Sequence, residues 1–268
     1  MSEFFTAYDA VLARWPVAVE PVDVPSSYGT TRINACGPAG APALVLLHGG
    51  GATSTVWFAT VGELSRDHRV YAVDTIGDAG RSVADGRPID HMDWLDGVLD
   101  GLGLDRATLC GHSYGGWIAL SYAVHAPHRV DRLALLDPTD CFSGLRLAYR
   151  LRAVPVLARP TPERLRALVR WETAGAPLDE GWLRLMCLGA TFPKSRLVLP
   201  RRPAAAPLLP VLVLLAERSR AHDIRAVAAT AERLLPDVST AVLPGASHHT
   251  IPTEHARHLT RELTRFLV

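Results

Sequence analysis

Short apolar runs that alternate with helical patterns are the feature that most constrains how this chain can fold. The clearest runs cover residues 43–47, 70–73, 107–110, 132–136, 211–215 and 239–243. Each is largely apolar on both faces, as expected of interior strands in a parallel sheet that helices cover on both sides. The pattern therefore predicts an α/β fold built on a mostly parallel sheet.

The segments between these runs predict the helices. Helical spacing favours residues 90–102, 114–126, 223–235 and 252–267. Asp223 and Pro252 suit the starts of the last two helices, as an N-cap residue and a first-turn proline. Residues 28–35 alternate in polarity, which predicts an antiparallel strand at the edge of the sheet. A chain of 268 residues is long enough for one large α/β domain with a single insertion.

The segment from residue 139 to residue 207 breaks this alternation. It has no strong strand pattern, but it has helical patterns, many prolines and the tryptophans Trp171 and Trp182. We expect residues 139–207 to form a helical cap that is inserted into a core of residues 1–138 and 208–268. An insertion at this point would lie over the carboxyl ends of the strands, where ligands bind in open α/β sheets. The alternative is a helical subdomain that takes no part in binding.

Charge and composition exclude several classes of partner. The chain has 28 lysines and arginines against 27 aspartates and glutamates, so its formal net charge of +1 creates no global field that favours nucleic acid or an acidic membrane. The arginines of residues 146–170, like Arg201 and Arg202, alternate with apolar residues and are interpreted as solvated helix faces. The apolar runs are far shorter than the roughly 20 residues that span a bilayer. We expect no nucleic-acid or membrane partner, and the sequence does not indicate an oligomeric state.

The N-terminus and the cysteines predict a cytoplasmic protein. Residues 1–6 lack the basic start and the apolar core of a secretory signal. The chain has four cysteines, Cys36, Cys110, Cys141 and Cys187, which are far apart and lack metal-ligand spacing. We therefore expect free, mostly buried thiols.

The pentapeptide Gly111-His112-Ser113-Tyr114-Gly115 has the Gly-x-Ser-x-Gly form of a nucleophile elbow. It follows a predicted strand and precedes a predicted helix, the context in which such a turn exposes a serine hydroxyl above a sheet. The outer glycines would let strand and helix approach closely. An ordinary strand-to-helix turn is the alternative. Ser113 is the predicted nucleophile.

A serine hydroxyl is a poor nucleophile at neutral pH, so it needs a base. His248 lies in the loop after the last predicted strand, at the same sheet edge as Ser113. It is the predicted base, and His249 is the alternative.

An oxyanion formed by acyl attack needs two preorganised N–H donors. The first predicted donor is the backbone of Tyr114, the residue after the nucleophile. The second is expected in the run His48-Gly49-Gly50-Gly51, which follows the first predicted parallel strand, and Gly50 is the predicted donor. The run lacks the spacing of the glycine-rich loops that bind nucleotides. We expect an oxyanion hole there rather than a nucleotide site.

Taken in order, these motifs resemble the α/β-hydrolase family, and the resemblance covers about residues 26–268. The matching features are residues 48–51 with Trp57, residues 74–82, the elbow at Ser113, residues 135–138 and residues 245–248. The resemblance implies an eight-stranded, mostly parallel sheet with helices on both faces and a cap after the sixth strand. It also implies no metal and no organic cofactor. The chain looks most like bacterial carboxylesterase-type members with a helical cap.

The acid that orients the base departs from the family pattern. Family members usually carry Asp or Glu just after the seventh strand, and here Ser219 occupies the expected position. Asp137 ends the preceding strand, at an alternative site that some members use, and it is the predicted acid. Glu217 and Asp223 are the alternatives. In many relatives, however, an Asp-Pro pair such as 137–138 only closes the strand.

The resemblance implies a serine hydrolase that cleaves a small-molecule carboxylic ester, thioester or lactone through an acyl-enzyme. Two other classes remain open: a non-hydrolytic lyase, acyl-transfer or ring-forming step on a biosynthetic intermediate, and a ligand-binding protein with a residual hydrolase site. The cap segment contributes the aromatic residues Phe142, Tyr149, Trp171, Trp182 and Phe192. Their apolar surroundings favour a substrate with an apolar acyl or alcohol group.

Overall fold

A single mixed β-sheet organises the chain. The computed structural model describes residues 1–195, 198 and 205–268. Its strands are β1 (Glu20–Ser26), β2 (Gly29–Cys36), β3 (Ala43–Leu47), β4 (Arg69–Val73), β5 (Val83–Ala84), β6 (Ala107–His112), β7 (Val130–Leu136), β8 (Val211–Ala216) and β9 (Val238–Leu243). The order across the sheet is β1-β2-β4-β3-β6-β7-β8-β9, and the two-residue β5 pairs with β2. From β4 to β9 all pairs are parallel, whereas β1 and β2 run antiparallel to their neighbours.

Helices connect the strands and cover both faces of the sheet. The helices are α1 (Ser2–Leu12), α2 (Val61–Leu64), α3 (His91–Gly101), α4 (Tyr114–His125), α5 (Leu147–Ala158), α6 (Pro162–Glu172), α7 (Glu180–Leu188), α8 (Ile224–Leu234) and α9 (Ala256–Leu267). Asp223 caps α8 by accepting from the N–H groups of Arg225 and Ala226, as predicted. The predicted start of the last helix at Pro252 is wrong by about one turn, because residues 251–255 form turns before α9 begins. No helix of the described residues is long and apolar enough to cross a membrane.

The strand side chains divide between two apolar layers. In β3, Val45 and Leu47 join the layer that contains α3 and α4, whereas Leu44 and Leu46 join the layer that contains α7 and α9. All four side chains are fully buried. Strand β3 therefore has no solvent face, which explains why its sequence is a continuous apolar run.

The edge of the sheet differs from the prediction. Residues 28–35 form most of β2, but β2 pairs with β1 on one side and with β4 on the other, so the edge strand is β1. Pro21 and Pro25 obscure β1 in the sequence, because proline disfavours a strand. An edge strand tolerates them, since its outer N–H groups need no partner.

In the described part of the segment predicted to form a cap, three helices, α5, α6 and α7, lie between β7 and β8. Thr161 caps α6 by accepting from the N–H of Arg164, and Asp179 caps α7 by accepting from the N–H of Trp182. The predicted helical character of this segment is confirmed, whereas its boundaries as a cap of residues 139–207 remain a prediction. Arg201 and Arg202, which we interpreted as part of a helix face, lie outside the described residues.

Candidate active site

The nucleophile elbow forms a tight turn between β6 and α4. Ser113 has φ 54° and ψ −114°, a conformation that costs energy for a residue with a Cβ. Its N–H donates to the carbonyl of Leu136 at 2.9 Å, which fixes the turn to the end of the neighbouring strand β7. A Cβ on Gly115 would lie 2.4 Å from the carbonyl oxygen of Leu47, and one on Gly111 would lie 2.3 Å from that of Gly115. The glycines are therefore required by close backbone contact.

Alanine at Gly115 is expected to destabilise the fold by about 1–3 kcal/mol, because the new methyl group would overlap backbone atoms that cannot move independently of β3. Gly97→Ala is the matched control: its methyl group would meet nothing nearer than the Ser26 Cβ at 3.9 Å, and alanine favours the helix by about 0.5–1 kcal/mol. Urea unfolding of both variants measures the difference. Equal free energies of unfolding would contradict the close contact.

A continuous chain of hydrogen bonds runs from Ser113 through His248 to Asp137. Ser113 Oγ lies 2.8 Å from His248 Nε2, and His248 Nδ1 lies 2.6 Å from Asp137 Oδ2. The three residues stand at the carboxyl ends of β6, β7 and β9, so the parallel sheet brings them to one edge although His248 is 135 positions away from Ser113. All three are buried, with Ser113 the most exposed at 9%.

Asp137 is the carboxylate that meets His248, and the two alternatives lie elsewhere. Glu217 is exposed and accepts from the N–H of Gly245 at 2.7 Å. Asp223 caps α8. Ser219, which stands where family members usually carry the acid, donates its hydroxyl to Asp137 Oδ2 at 2.9 Å. The serine thus hydrogen-bonds the carboxylate at the end of the adjacent strand β7.

The charges in this cluster favour an ionised Asp137 beside a proton-accepting histidine. Burial by itself would raise the pKa of Asp137, but the facing imidazoles of His222 and His248 and the hydrogen bonds from His248 and Ser219 lower it below its ordinary value. Burial opposes the charged form of His248, yet the hydrogen bond and charge of Asp137, together with the charge of Glu172, raise its pKa. The ionised carboxylate of Asp137 can therefore stabilise a protonated His248 imidazole.

His249, the alternative base, has a different partner. Its Nδ1 lies 2.9 Å from Glu172 Oε2, and its ring is 5.1 Å from that of His248 between centroids. The imidazole that lies within hydrogen-bond distance of Ser113 Oγ is that of His248. The geometry thus favours His248 over His249.

Sequence reasoning missed three other residues of the site. Thr139 Oγ1 lies 3.0 Å from Ser113 Oγ. His222 is 1% exposed, and both of its ring nitrogens lack a hydrogen-bond partner among the described residues. Glu172 reaches the site from α6. Thr139 and His222 follow the ends of β7 and β8, so the convergence of parallel strand ends is a signal that could have found them, whereas Glu172 depends on tertiary packing alone.

One group of side chains has the composition of a metal site. The ligand atoms of Asp137, His222 and His248 all lie within 4.8 Å of one another. Two histidines and one carboxylate are a donor set that suits zinc. In the structure, however, Asp137 and His248 bind each other, which is the contact that a serine nucleophile requires.

The loop after β3 lies beside the elbow. A Cβ on Gly50 would lie 3.7 Å from Tyr114 Cβ, so the two predicted oxyanion donors are adjacent. The N–H of Gly51 is already bound to Asp78 Oδ2 at 2.7 Å, and Asp78 is held by Lys194 at 2.8 Å. Within the described part of the chain, the N–H groups of Gly50 and Tyr114 have no acceptor. Both are available to an oxyanion.

Of the aromatic residues in the segment predicted to form a cap, Tyr149 lies near the site and Trp171 lies next to Tyr149. The Tyr149 ring is 6.3 Å from the His248 ring and 6.3 Å from the Trp171 ring, between centroids. Phe142 and Trp182 are buried in the two main apolar layers. Phe192 packs on Phe4 of α1, with 4.6 Å between ring centroids.

The fold and the hydrogen-bonded Ser113, His248 and Asp137 fit an α/β hydrolase, and comparison with known families agrees. Residues 44–263 match the model of the alpha/beta hydrolase family, which is more than half of the chain. The chain belongs to the α/β-hydrolase family. The resemblance inferred from the motifs is thereby confirmed, as is the predicted fold class.

The similar proteins include bacterial carboxylesterases. Carboxylesterase YbfK of Bacillus subtilis (strain 168) is 39% identical over 142 residues, which are 52% of this chain but only 48% of that protein. The uncharacterized carboxylesterase nap of the same organism is 27% identical over 278 residues, 98% of this chain and 91% of that protein.

Solved structures extend this similarity to the whole chain. The crystal structure of carboxylesterase CesB (YbfK) from Bacillus subtilis superposes with a TM-score of 0.91 at 26% identity, over 99% of this chain and 97% of that one. The naproxen esterase of Bacillus subtilis superposes with a TM-score of 0.88 at 26% identity and the same coverage. The chain is thus a carboxylesterase-like member of the family.

Proposed function

We propose that this protein is a serine hydrolase that cleaves a small-molecule carboxylic ester, or a related thioester or lactone, through an acyl-enzyme intermediate. The observation that carries the proposal is the unbroken chain of hydrogen bonds from Ser113 Oγ through the imidazole of His248 to Asp137. Such a chain activates a hydroxyl for attack on a carbonyl carbon. The carboxylesterases among the similar proteins support ester as the substrate class.

The proposed reaction has two acyl-transfer steps. Ser113 Oγ forms a bond to the carbonyl carbon while its proton passes to His248 Nε2, and Asp137 stabilises the resulting imidazolium. The ester C–O bond then breaks, and the alcohol leaves with that proton. A water molecule attacks the acyl-serine, returning a proton through His248, and the carboxylic acid is released. The N–H groups of Gly50 and Tyr114 hold the oxyanion in both steps.

The surroundings of His248 support a substrate with an apolar group. Tyr149 presents aromatic surface beside the base, and the Trp171 ring lies next to that of Tyr149. Tyr149 has its pKa raised, mainly by burial, so it is a neutral phenol. An apolar acyl or alcohol group that packs against these rings would remove its own apolar surface and theirs from water, which favours binding.

We assign the protein to the cytoplasm. The support for this assignment is that all four cysteines are buried and free, which suits a reducing compartment.

The direct test uses purified protein and p-nitrophenyl esters of increasing acyl length. We expect turnover, together with one acyl group on Ser113 that mass spectrometry detects after rapid quenching. Because His248 must be neutral to accept the proton and its pKa is raised, kcat/KM should fall with decreasing pH through a limb that lies above the ordinary histidine value.

Other outcomes distinguish the alternatives. An acyl-serine that forms but is not hydrolysed would favour acyl transfer to another acceptor. No adduct and no turnover with any ester would contradict the proposal and favour a binding protein.

A further inference from the structure

Glu172, the last residue of α6, places a fully buried carboxylate against the loop that carries His248. Its Oε1 accepts from the backbone N–H of His248 at 3.0 Å and from that of Arg220 at 3.3 Å. Its Oε2 accepts from the backbone N–H of His249 at 3.2 Å and from its Nδ1 at 2.9 Å. One side chain therefore binds four donors on two separate loops.

These two loops hold the partners of the proposed nucleophile. The loop after β9 carries His248, and the loop after β8 carries Ser219, which binds Asp137. The neighbouring residue on α6 adds a further contact, because the Trp171 carbonyl accepts from Arg220 Nη1 at 2.7 Å. The end of α6 thus joins the loop after β8 to the loop after β9.

The ionised state of Glu172 fits this role. A buried carboxylate is costly unless hydrogen bonds satisfy its oxygens, and here each oxygen accepts two. Burial alone would raise its pKa, but the bond to His249, the facing histidines and the backbone donors lower it to about 2. A neutral amide in its place could not accept four bonds, because its NH₂ group would face N–H donors.

We propose that Glu172 is a positioning residue for the general base: its carboxylate fixes the backbone of His248 so that the imidazole stands between Ser113 and Asp137, and it thereby couples the position of the α5–α7 segment to catalysis. This inference rests on the proposed function, in which His248 is the base. Glu172 acts through His248 and does not itself touch the reacting atoms.

The charge of Glu172 also acts on the imidazole and provides a second readout. The titratable groups that surround His248 are Asp137, His112, His222, His249, Tyr149 and Glu172. Of these, Asp137 and Glu172 are the groups that raise the pKa of His248. Removing the charge of Glu172 should therefore lower that pKa, which a purely structural contact would leave unchanged.

The experiment compares Glu172→Gln with Glu163→Gln, an exposed glutamate in the first turn of the same helix. For Glu172→Gln we expect kcat for p-nitrophenyl butyrate to fall roughly 10- to 100-fold, as for other small misplacements of a catalytic group, with KM changed by less than about two-fold. The His248 ring, titrated by NMR and assigned through His248→Ala, should show a lower pKa. Glu163→Gln should match wild type in all three.

Glu172→Asp covers the possibility that the amide variant does not fold. It keeps the charge but shortens the reach by one methylene, so we expect a folded protein whose kcat is about ten-fold reduced by misplacement. The proposal is overturned if folded Glu172→Gln has the kcat and the His248 titration of Glu163→Gln. It is also overturned if folded Glu172→Asp has wild-type kcat, or if neither variant folds, because the role is then structural.

Failure of the proposed function gives a different result. If the wild-type protein hydrolyses no ester, the assignment as an esterase fails. An NMR titration of His248 that is the same in wild type and Glu172→Gln would then still overturn the inferred effect of Glu172 on that imidazole.

Discussion

Replacing Ser113 with alanine is expected to lower kcat for ester hydrolysis by a factor on the order of 10⁶, the loss seen when a nucleophile that acts as a unit with its base is removed. Ser113 Oγ is bound to His248 Nε2 at 2.8 Å, so the proposed base has its proton donor in place before substrate arrives. Alanine keeps the Cβ and therefore the same backbone strain, so the free energy of unfolding should change little. Steady-state kinetics with p-nitrophenyl butyrate and labelling by a fluorophosphonate probe measure the loss.

Thr139→Val is the matched control for this prediction. Thr139 carries a second hydroxyl 3.0 Å from Ser113 Oγ, and valine removes that hydroxyl while keeping the shape of the side chain. We expect Thr139→Val to react with the probe and Ser113→Ala not to react. Labelling that survives in Ser113→Ala but disappears in Thr139→Val would move the nucleophile to Thr139 and contradict our assignment.

The features that could be predicted from the sequence are those that local patterns encode. Strand β3 coincides with the apolar run at residues 43–47, because a strand that is buried on both faces has apolar residues at consecutive positions of its sequence. The elbow was equally predictable from its motif, although only Gly111 is required by a backbone contact within the strand-turn-helix unit. Gly115 is required by a contact with the end of the neighbouring strand β3. Because parallel strands end at one edge, the order of motifs also predicted that Ser113, Asp137 and His248 meet.

Other features depend on packing that no local pattern records. Helix α1 was missed, although the spacing of its buried residues Phe4, Ala7, Tyr8 and Val11 is helical. Glu172 was missed for a stronger reason: it is one of two glutamates on α6, and only the fold brings it to the loop of His248. The proposed proton relay could thus be predicted from the strand ends, whereas the proposed role of Glu172 from the α5–α7 segment could not.

Asp137→Asn is the second substitution with a large expected effect, roughly a 10⁴-fold loss in kcat, by analogy with triads that lose their acid. All three neighbours of the carboxylate donate to it: Ala216 N at 3.3 Å, Ser219 Oγ at 2.9 Å and His248 Nδ1 at 2.6 Å. An amide nitrogen must face at least one of them. If the amide nitrogen faces His248, it donates a hydrogen bond to Nδ1, so the proton of the neutral ring must be on Nε2. A protonated Nε2 cannot accept the proton of Ser113.

The alternative acids supply the controls. Asp223→Asn should retain wild-type kcat, because asparagine caps a helix as well as aspartate does. Glu217→Gln should also retain it, since that side chain is exposed and binds only the Gly245 N–H among the described residues. Loss of activity in either control with retention in Asp137→Asn would assign the acid to the β8–α8 loop.

A double variant tests the relocation of the acid itself. Ser219 stands at the usual family position and its Oγ already lies 2.9 Å from Asp137 Oδ2, so an aspartate at 219 has its carboxylate within reach of the same histidine. In the Asp137→Asn background, Ser219→Asp is expected to recover activity by roughly 10- to 100-fold through renewed support of the imidazolium. In the wild-type background, the same change should lower activity, because two buried carboxylates would then repel each other. The coupling between positions 137 and 219 is measured from kcat of the wild type, the two single variants and the double variant. If the two substitutions change kcat independently, position 219 does not reach His248.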